Sequence, residues 1–176
     1  ARLGVEVTQA LLTYKDETNG LTSQAKDLNL KIRDISLSRP TDLEIWADLD
    51  TKMGTALAAK GPIKLTASLD TTFNGADLEK AALTLKLSAH DLEIKVPGTF
   101  EKKKGIPTNL EADVQVTKKE AKLEKFVNRF HNAEIQTTGG ISNFMSTPAA
   151  GQPSAIPTVK IDVRSNEIAL TPWVAL

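Results

Sequence analysis

The chain has no cysteine, and it has only two histidines among its 176 residues. Without thiols it forms no disulfide and has no thiolate for catalysis or metal binding. Aromatic residues make up only 5% of the chain, so any apolar surface is lined mainly by aliphatic side chains. Basic and acidic residues number 22 each, a balance that argues against nucleic acid as a partner. No apolar run approaches the roughly 20 residues of a transmembrane helix.

What the sequence has in abundance is alternation of apolar and polar residues. Alternation with a period of two predicts β-strands that have one apolar face. The Asn19-Gly20 pair, which lies between two such stretches, predicts a tight turn. The stretch 76–83, which resembles a helical turn locally, is interpreted as the lead-in to a strand. The alternating segments are 5–14, 28–38, 43–50, 62–70, 83–96, 109–116 and 158–170.

The alternation changes phase by one residue within three of these segments. The changes fall between Ile32 and Ile35, between Ala89 and Leu92, and between Val163 and Ile168. A β-bulge or a tight turn at each site keeps the apolar residues on one common surface. We expect bulges at the first two sites, which lack glycine, and a turn at 164–167.

Three segments interrupt the strand pattern. Residues 118–130 predict an amphipathic helix, because Thr117 and Glu120 match a capping box and Leu123, Phe126, Val127 and Phe130 follow helical spacing. This helix either covers the apolar face of a sheet, with its lysines in solvent, or lies on an anionic membrane. Residues 137–158 predict a long irregular loop, and the three lysines at 102–104 predict a charged hairpin loop.

Polar residues do not form a recognisable catalytic or cofactor motif. His90 and His131 are distant in sequence and lack the spacing of metal ligands. Asp48 and Asp50 lie on one side of a strand, which is more typical of a solvated face than of an acid–base pair. Gly139-Gly140 lacks the context of a phosphate-binding loop. We therefore predict a non-enzymatic protein without catalytic residues, cofactor or metal.

The strands present more aliphatic surface than one helix can cover. A second sheet would exclude water from this surface in a sandwich, and acyl chains would do so in an open curved sheet. A third option, an outer-membrane barrel, is disfavoured because aromatic girdles are expected there. The candidate lipid-facing residues are Leu28, Leu30, Ile32, Leu83, Leu85, Leu87, Leu92, Ile94 and Val96.

Two stretches resemble the AsmA-like family of bacterial envelope proteins. In 5–50, a strand ends in a short Asp/Asn/Gly turn and a second strand runs from Leu28-Asn29-Leu30 to Leu37-Ser38-Arg39-Pro40. The stretch "ALTLKLSAHDLEIKVPG" (82–98) is similar to the family's repeated strand, with its phase change and trailing glycine. The resemblance covers 5–98 well and 108–170 loosely.

This resemblance implies a periplasmic, β-rich body whose parent protein is anchored in the inner membrane of a Gram-negative bacterium. It implies a groove that conducts phospholipid and takes part in outer-membrane biogenesis, with no catalytic residue. We expect residues 1–176 to form one β-rich domain excised from a longer protein. The expected fold is a highly curved antiparallel sheet, or incomplete barrel, with one covering helix at about 118–130. The alternative is a dry-core sandwich that acts as a structural or protein-interaction module of the envelope.

Overall fold

The computed structural model describes residues 3–36, 39–142 and 156–166. Within these ranges the secondary structure consists of eleven β-strands and includes no helix. The prediction of a mainly β fold is therefore confirmed. The strands are β1 (Val5–Asp16), β2 (Leu21–Arg33), β3 (Thr41–Met53), β4 (Leu57–Asn74), β5 (Asp77–Ser88), β6 (Glu93–Val96), β7 (Phe100–Lys102), β8 (Thr108–Thr117), β9 (Glu120–Phe130), β10 (Ala133–Ser142) and β11 (Thr158–Ser165).

All eleven strands belong to one open antiparallel sheet. Nine of them follow each other in the order β1-β2-β3-β4-β5-β8-β9-β10-β11, so β1 and β11 are the two edges of the sheet among the described residues. The exceptionally long β4 pairs with β5 along 64–74 and with β6 along 58–60. The short β6–β7 hairpin therefore extends the sheet beside one end of β4.

The covering helix predicted at 118–130 is wrong, because these residues form a tight turn and strand β9. Asp113 pairs with Lys125 and Val114 pairs with Leu123, so Glu124 is an extra, bulged residue. One extra residue separates Leu123 and Phe126 by three positions on the same face, and this spacing imitates a helix. The Thr117 hydroxyl accepts the Glu120 N–H at 3.2 Å, as in a capping box, but it stabilises a hairpin turn.

At two of the three expected phase changes, the chain has one extra residue relative to the neighbouring strand. At the first, Asp34 takes a left-handed φ of 54° and the Ile35 N–H still donates to Leu3 O. At the second, four residues (89–92) lie opposite three (61–63), since Lys64 pairs with Ser88 and Lys60 pairs with Glu93. This insertion is a turn through His90 and Asp91 rather than a bulge within a continuous strand.

The turn expected at 164–167 is wrong for 164–166. Arg164 and Ser165 end strand β11, and the Asn166 N–H donates to Glu134 O on β10. Glu167, Ile168 and Leu170 lie outside the described residues.

Both loop predictions need correction. In the expected loop 137–158, residues 137–142 belong to β10, Thr158 begins β11, and 143–155 lie outside the described residues. Among the three lysines at 102–104, Lys102 ends β7 and is 1% exposed, while Lys103 and Lys104 are exposed in the following loop.

The described residues have a very small core. The buried apolar side chains are Ala47, Ala89, Leu92, Val127 and Ala133. Contacts between elements join only strands that neighbour each other in the sheet, so no second layer packs on it within these ranges. The sandwich alternative therefore lacks a second sheet among the described residues. None of the described elements is a helix long and apolar enough to cross a bilayer.

Candidate functional site

The register places aliphatic side chains on one face of the sheet from edge to edge. Residues paired directly across strands lie on the same face, so one row can be followed through nine strands. Eight of its nine members are apolar, and we call the surface to which they belong the apolar face. The row is Val5, Ile32, Leu43, Ala67, Leu85, Ala112, Phe126, Thr137 and Val163. Eight strand spacings of about 4.8 Å make this face roughly 38 Å wide.

The next row along the strands lies on the opposite face and is mainly charged or polar. It consists of Glu6, Lys31, Glu44, Thr66, Lys86, Glu111, Val127, Gln136 and Arg164. Ion pairs join neighbours on this polar face, for example Lys31 Nζ to Glu6 Oε1 at 3.3 Å and Lys64 Nζ to Glu44 Oε1 at 2.8 Å. The sheet is therefore amphipathic across its whole width.

Eight of the nine candidate lipid-facing residues belong to the apolar face. Leu83, Leu85 and Leu87 lie opposite Leu69, Ala67 and Leu65 of β4, and Ile94 lies opposite Ala59. Leu28, Leu30 and Ile32 lie opposite apolar residues of β1, and Val96 lies opposite Phe100. The ninth, Leu92, is only 8% exposed, so it packs inside the protein and does not line an accessible surface.

Many side chains of this face remain in contact with solvent. Leu83 is 36% exposed and Leu69, its partner on β4, is 43% exposed. Exposure is highest at the two edges of the sheet, where Ile161 on β11 reaches 69% and Leu12 on β1 reaches 60%. The inner members of the row are partly exposed and its two ends are exposed. Extended apolar surfaces that remain in contact with solvent are typical of sites that bind a partner or a ligand.

A buried lysine fixes the turn that interrupts the face between β5 and β6. The Lys102 Nζ donates to His90 O at 2.9 Å and to Leu92 O at 2.5 Å. Burial lowers the pKa of Lys102, and the nearby charges of Asp91 and Glu93 oppose this shift. The three-lysine stretch suggests only a solvated loop, and no sequence signal distinguishes the lysine that is buried.

Gly61 on β4 lies directly against the backbone of the same turn. Its φ is +133°, and a Cβ atom built on it would lie 2.4 Å from Asp91 O and 3.1 Å from Leu92 Cα. Only glycine allows the backbone of the turn to approach the sheet this closely. The absence of a side chain at Gly61 therefore lets the turn lie against β4, and the Lys102 amine on β7 holds it there.

The polar face holds its charges in pairs that favour their ionised forms. Lys125 Nζ lies 2.5 Å from Glu111 Oε2, and Arg129 contacts both Glu111 Oε1 at 3.0 Å and Glu134 Oε2 at 2.7 Å. Hydrogen bonds from Lys125 and Arg129 lower the pKa of Glu111, and Lys64 lowers that of Glu44. Carboxylates held ionised in this way are poorly suited to exchange protons near neutral pH.

The other polar residues singled out in the sequence are not brought together. Asp48 and Asp50 lie on the polar face opposite Lys26 and Lys60. His90 contributes its backbone carbonyl to Lys102, and His131 lies in the two-residue turn between β9 and β10. Across the described ranges, no three His, Asp or Glu side chains converge on a possible cation site.

Depressions of the protein surface accompany the polar side chains. One of about 280 Å³ is lined by residues that include Lys31, Asp42, Ser68 and Lys86 on the polar face. This depression and the other depressions found on the sheet are open to solvent and lack the enclosure of a small-molecule site. The apolar face is therefore the candidate functional surface.

Comparisons with family models, curated proteins and solved structures found no match for this chain. The resemblance to the AsmA-like family consequently remains a prediction based on hydrophobic patterns. The class that the structure itself defines is an open, amphipathic, antiparallel β-sheet protein.

Proposed function

We propose that the chain is a non-enzymatic periplasmic segment of an AsmA-like protein that binds or guides phospholipid acyl chains along its apolar face. Its parent protein is anchored in the inner membrane and serves outer-membrane biogenesis. The observation that carries the proposal is the row from Val5 to Val163, which is apolar in eight of nine strands and uncovered by the described residues.

The chemistry of the apolar face matches acyl chains. Its row members are mainly aliphatic, and each methylene group that they remove from water contributes about 0.8 kcal/mol. Because the hydrophobic effect is non-directional, a mainly aliphatic surface holds a flexible chain without fixing it at one point. Such a surface supports movement of lipid as well as binding.

In this proposal the sheet curves into a groove or incomplete barrel around the lipid. Bulges support this shape, since each bends its strand and increases the local twist. The register shifts at Ala10 on β1 and between Lys26 and Asn29 on β2, and it shifts again at Glu124 on β9. Gln9 and Asp27, beside the first two shifts, have left-handed φ values of 52° and 48°.

Native mass spectrometry of the chain, purified from the periplasm without detergent, tests the proposal. We expect bound phospholipid that organic extraction recovers in stoichiometric amounts. Leu85→Asp places a carboxylate in the middle of the apolar face, opposite Ala67 and Ala112, and should abolish the bound lipid. Gln115→Asp is the matched control, because it adds the same charge to the polar face opposite Lys122.

The outcomes separate the two candidate functions. Lipid that is lost from folded Leu85→Asp and kept by Gln115→Asp supports the groove. A folded, lipid-free wild-type chain contradicts it and favours the alternative, a structural or protein-interaction module. The specific observation that favours this alternative is that β1 and β11 have no neighbour on their outer sides within the described part of the chain.

A further inference from the structure

The two edges of the sheet differ in how well they can accept another strand. Strand β1 has two register shifts against β2 and a left-handed residue at Gln9, and such irregularities blunt an edge. Strand β11 pairs with β10 through eight consecutive residues without a shift, and all eight are exposed. A regular, exposed edge of this kind is a template for strand addition.

Alternate residues of β11 point their backbone N–H and C=O groups away from β10. The Asn166 N–H donates to Glu134 O, so N–H groups at even-numbered positions along this strand point toward β10. The N–H and C=O groups of Val159, Ile161 and Val163 therefore point away from the sheet. The same three side chains belong to the apolar face, opposite Ile141, Gly139 and Thr137.

The charge pattern of β11 is complementary to itself in two antiparallel registers, one centred on Ile161 and one centred on Val163. With Ile161 opposite Ile161 of a second copy, Lys160 lies opposite Asp162 and Val159 lies opposite Val163, on both sides of the two-fold axis. Centring the pair on Asp162 instead would place Asp162 against itself and Lys160 against Arg164. Like charges directly opposite each other are destabilising, so the register centred on Asp162 is disfavoured. Centring on Val163 would place Asp162 opposite Arg164, but these two side chains already bond to each other within one strand at 2.9 Å, and Ile161 would lie opposite Ser165. The register centred on Ile161 keeps apolar side chains opposite each other and is favoured.

We propose that β11 pairs with β11 of a second copy of this chain, antiparallel and centred on Ile161. A two-fold axis perpendicular to the sheet keeps both apolar faces on the same side and joins them into one surface. Head-to-tail pairing of β11 with β1 fits less well, because these edge strands run in the same direction and would pair in parallel. This interface is independent of whether the surface binds lipid.

Single cysteines test the register, because the chain has no other thiol. In the proposed register the two Ile161 Cα atoms are about 5.5 Å apart, within the range of a disulfide. We expect Ile161→Cys to form a covalent dimer under mild oxidation. Val163→Cys should not do so, because its two copies lie about 13 Å apart along the strand. Val7→Cys on β1 controls for random collision.

Charge exchange provides a second, independent readout by sedimentation equilibrium of the full chain. Lys160→Asp puts two like-charge pairs into the interface and should raise the dimer dissociation constant roughly tenfold. Adding Asp162→Lys restores opposite charges and should restore the dimer. A monomeric wild type, failure of Ile161→Cys to cross-link, or equal cross-linking of Val163→Cys would overturn the proposal.

Discussion

Replacing Gly61 with alanine tests whether the 89–92 turn rests directly on strand β4. A φ of +133° is essentially restricted to glycine, and forcing another residue into such a region costs about 1–3 kcal/mol. The new Cβ would lie 2.4 Å from Asp91 O, about 1 Å inside the ~3.5 Å optimum for non-bonded atoms. The turn must therefore move away from the sheet.

That movement also weakens the hydrogen bonds that hold the turn. Lys102 donates to His90 O and Leu92 O, and the Leu92 N–H donates to Ala89 O at 3.2 Å. With about 1 kcal/mol for each of these three bonds and about 1–3 kcal/mol of backbone strain, we expect Gly61→Ala to lose roughly 4–6 kcal/mol of unfolding free energy. This loss is a large fraction of the roughly 5–15 kcal/mol that stabilises a typical domain.

Gly75→Ala is the matched control for this experiment. Gly75 also has a positive φ, of 63°, but a Cβ atom added to it would have no heavy atom of another part of the chain within 4 Å. Its alanine variant should lose only about 1–2 kcal/mol, from backbone strain alone. Urea denaturation of both variants measures the difference. Equal losses would refute the close approach of Asp91 to Gly61.

The remaining predictions concern buried and paired charges. Lys102→Met keeps the buried stem but leaves the carbonyl of Leu92 without its donor, so urea denaturation should show a loss of about 1–3 kcal/mol; unchanged stability would mean that the amine does not fix the turn. Since Lys125 and Arg129 lower the pKa of Glu111 from 4.5 in the folded state, their pairing stabilises the protein above that pH. This contribution should disappear as the pH falls through the lowered pKa. Urea denaturation of Glu111→Gln at a series of pH values between about 2 and 6 should lack this pH-dependent loss of stability. Parallel pH profiles for the variant and the wild type would contradict this expectation.

The faces of the sheet could be predicted from the sequence because strand geometry alternates strictly. The phase change between Leu87 and Ile94 is visible in the sequence, and it correctly implies that both residues share one face. A slip of one residue turns the side chains of a strand to the other face of the sheet. To keep its apolar side chains on one face, the chain must therefore insert a residue where the pattern changes phase. A further change, between Val7 and Leu12, was not among the three expected, and it coincides with the shifted register of β1.

The secondary structure of residues 118–130 could not be predicted from the spacing of their apolar residues alone. A bulged strand and a helix both place Leu123 and Phe126 three positions apart, and a capping hydroxyl at Thr117 serves a tight turn as well as a helix. Tertiary pairing with β8 and β10 decides between them. The burial of Lys102 could not be predicted for the same reason. It depends on contact with the 89–92 turn, which lies ten or more residues earlier in the sequence.

The sparse core has a thermodynamic consequence for the proposed function. With few apolar side chains fully buried among the described residues, each strand depends mainly on its two neighbours, and the apolar face remains partly hydrated. A ligand that covers this face binds the folded sheet and not the unfolded chain, so it adds stability by RT ln(1 + [L]/Kd), about 2.7 kcal/mol at a hundredfold excess over Kd. Lipid occupancy and sheet stability are therefore coupled in this proposal, and a groove that releases its lipid becomes a less stable sheet.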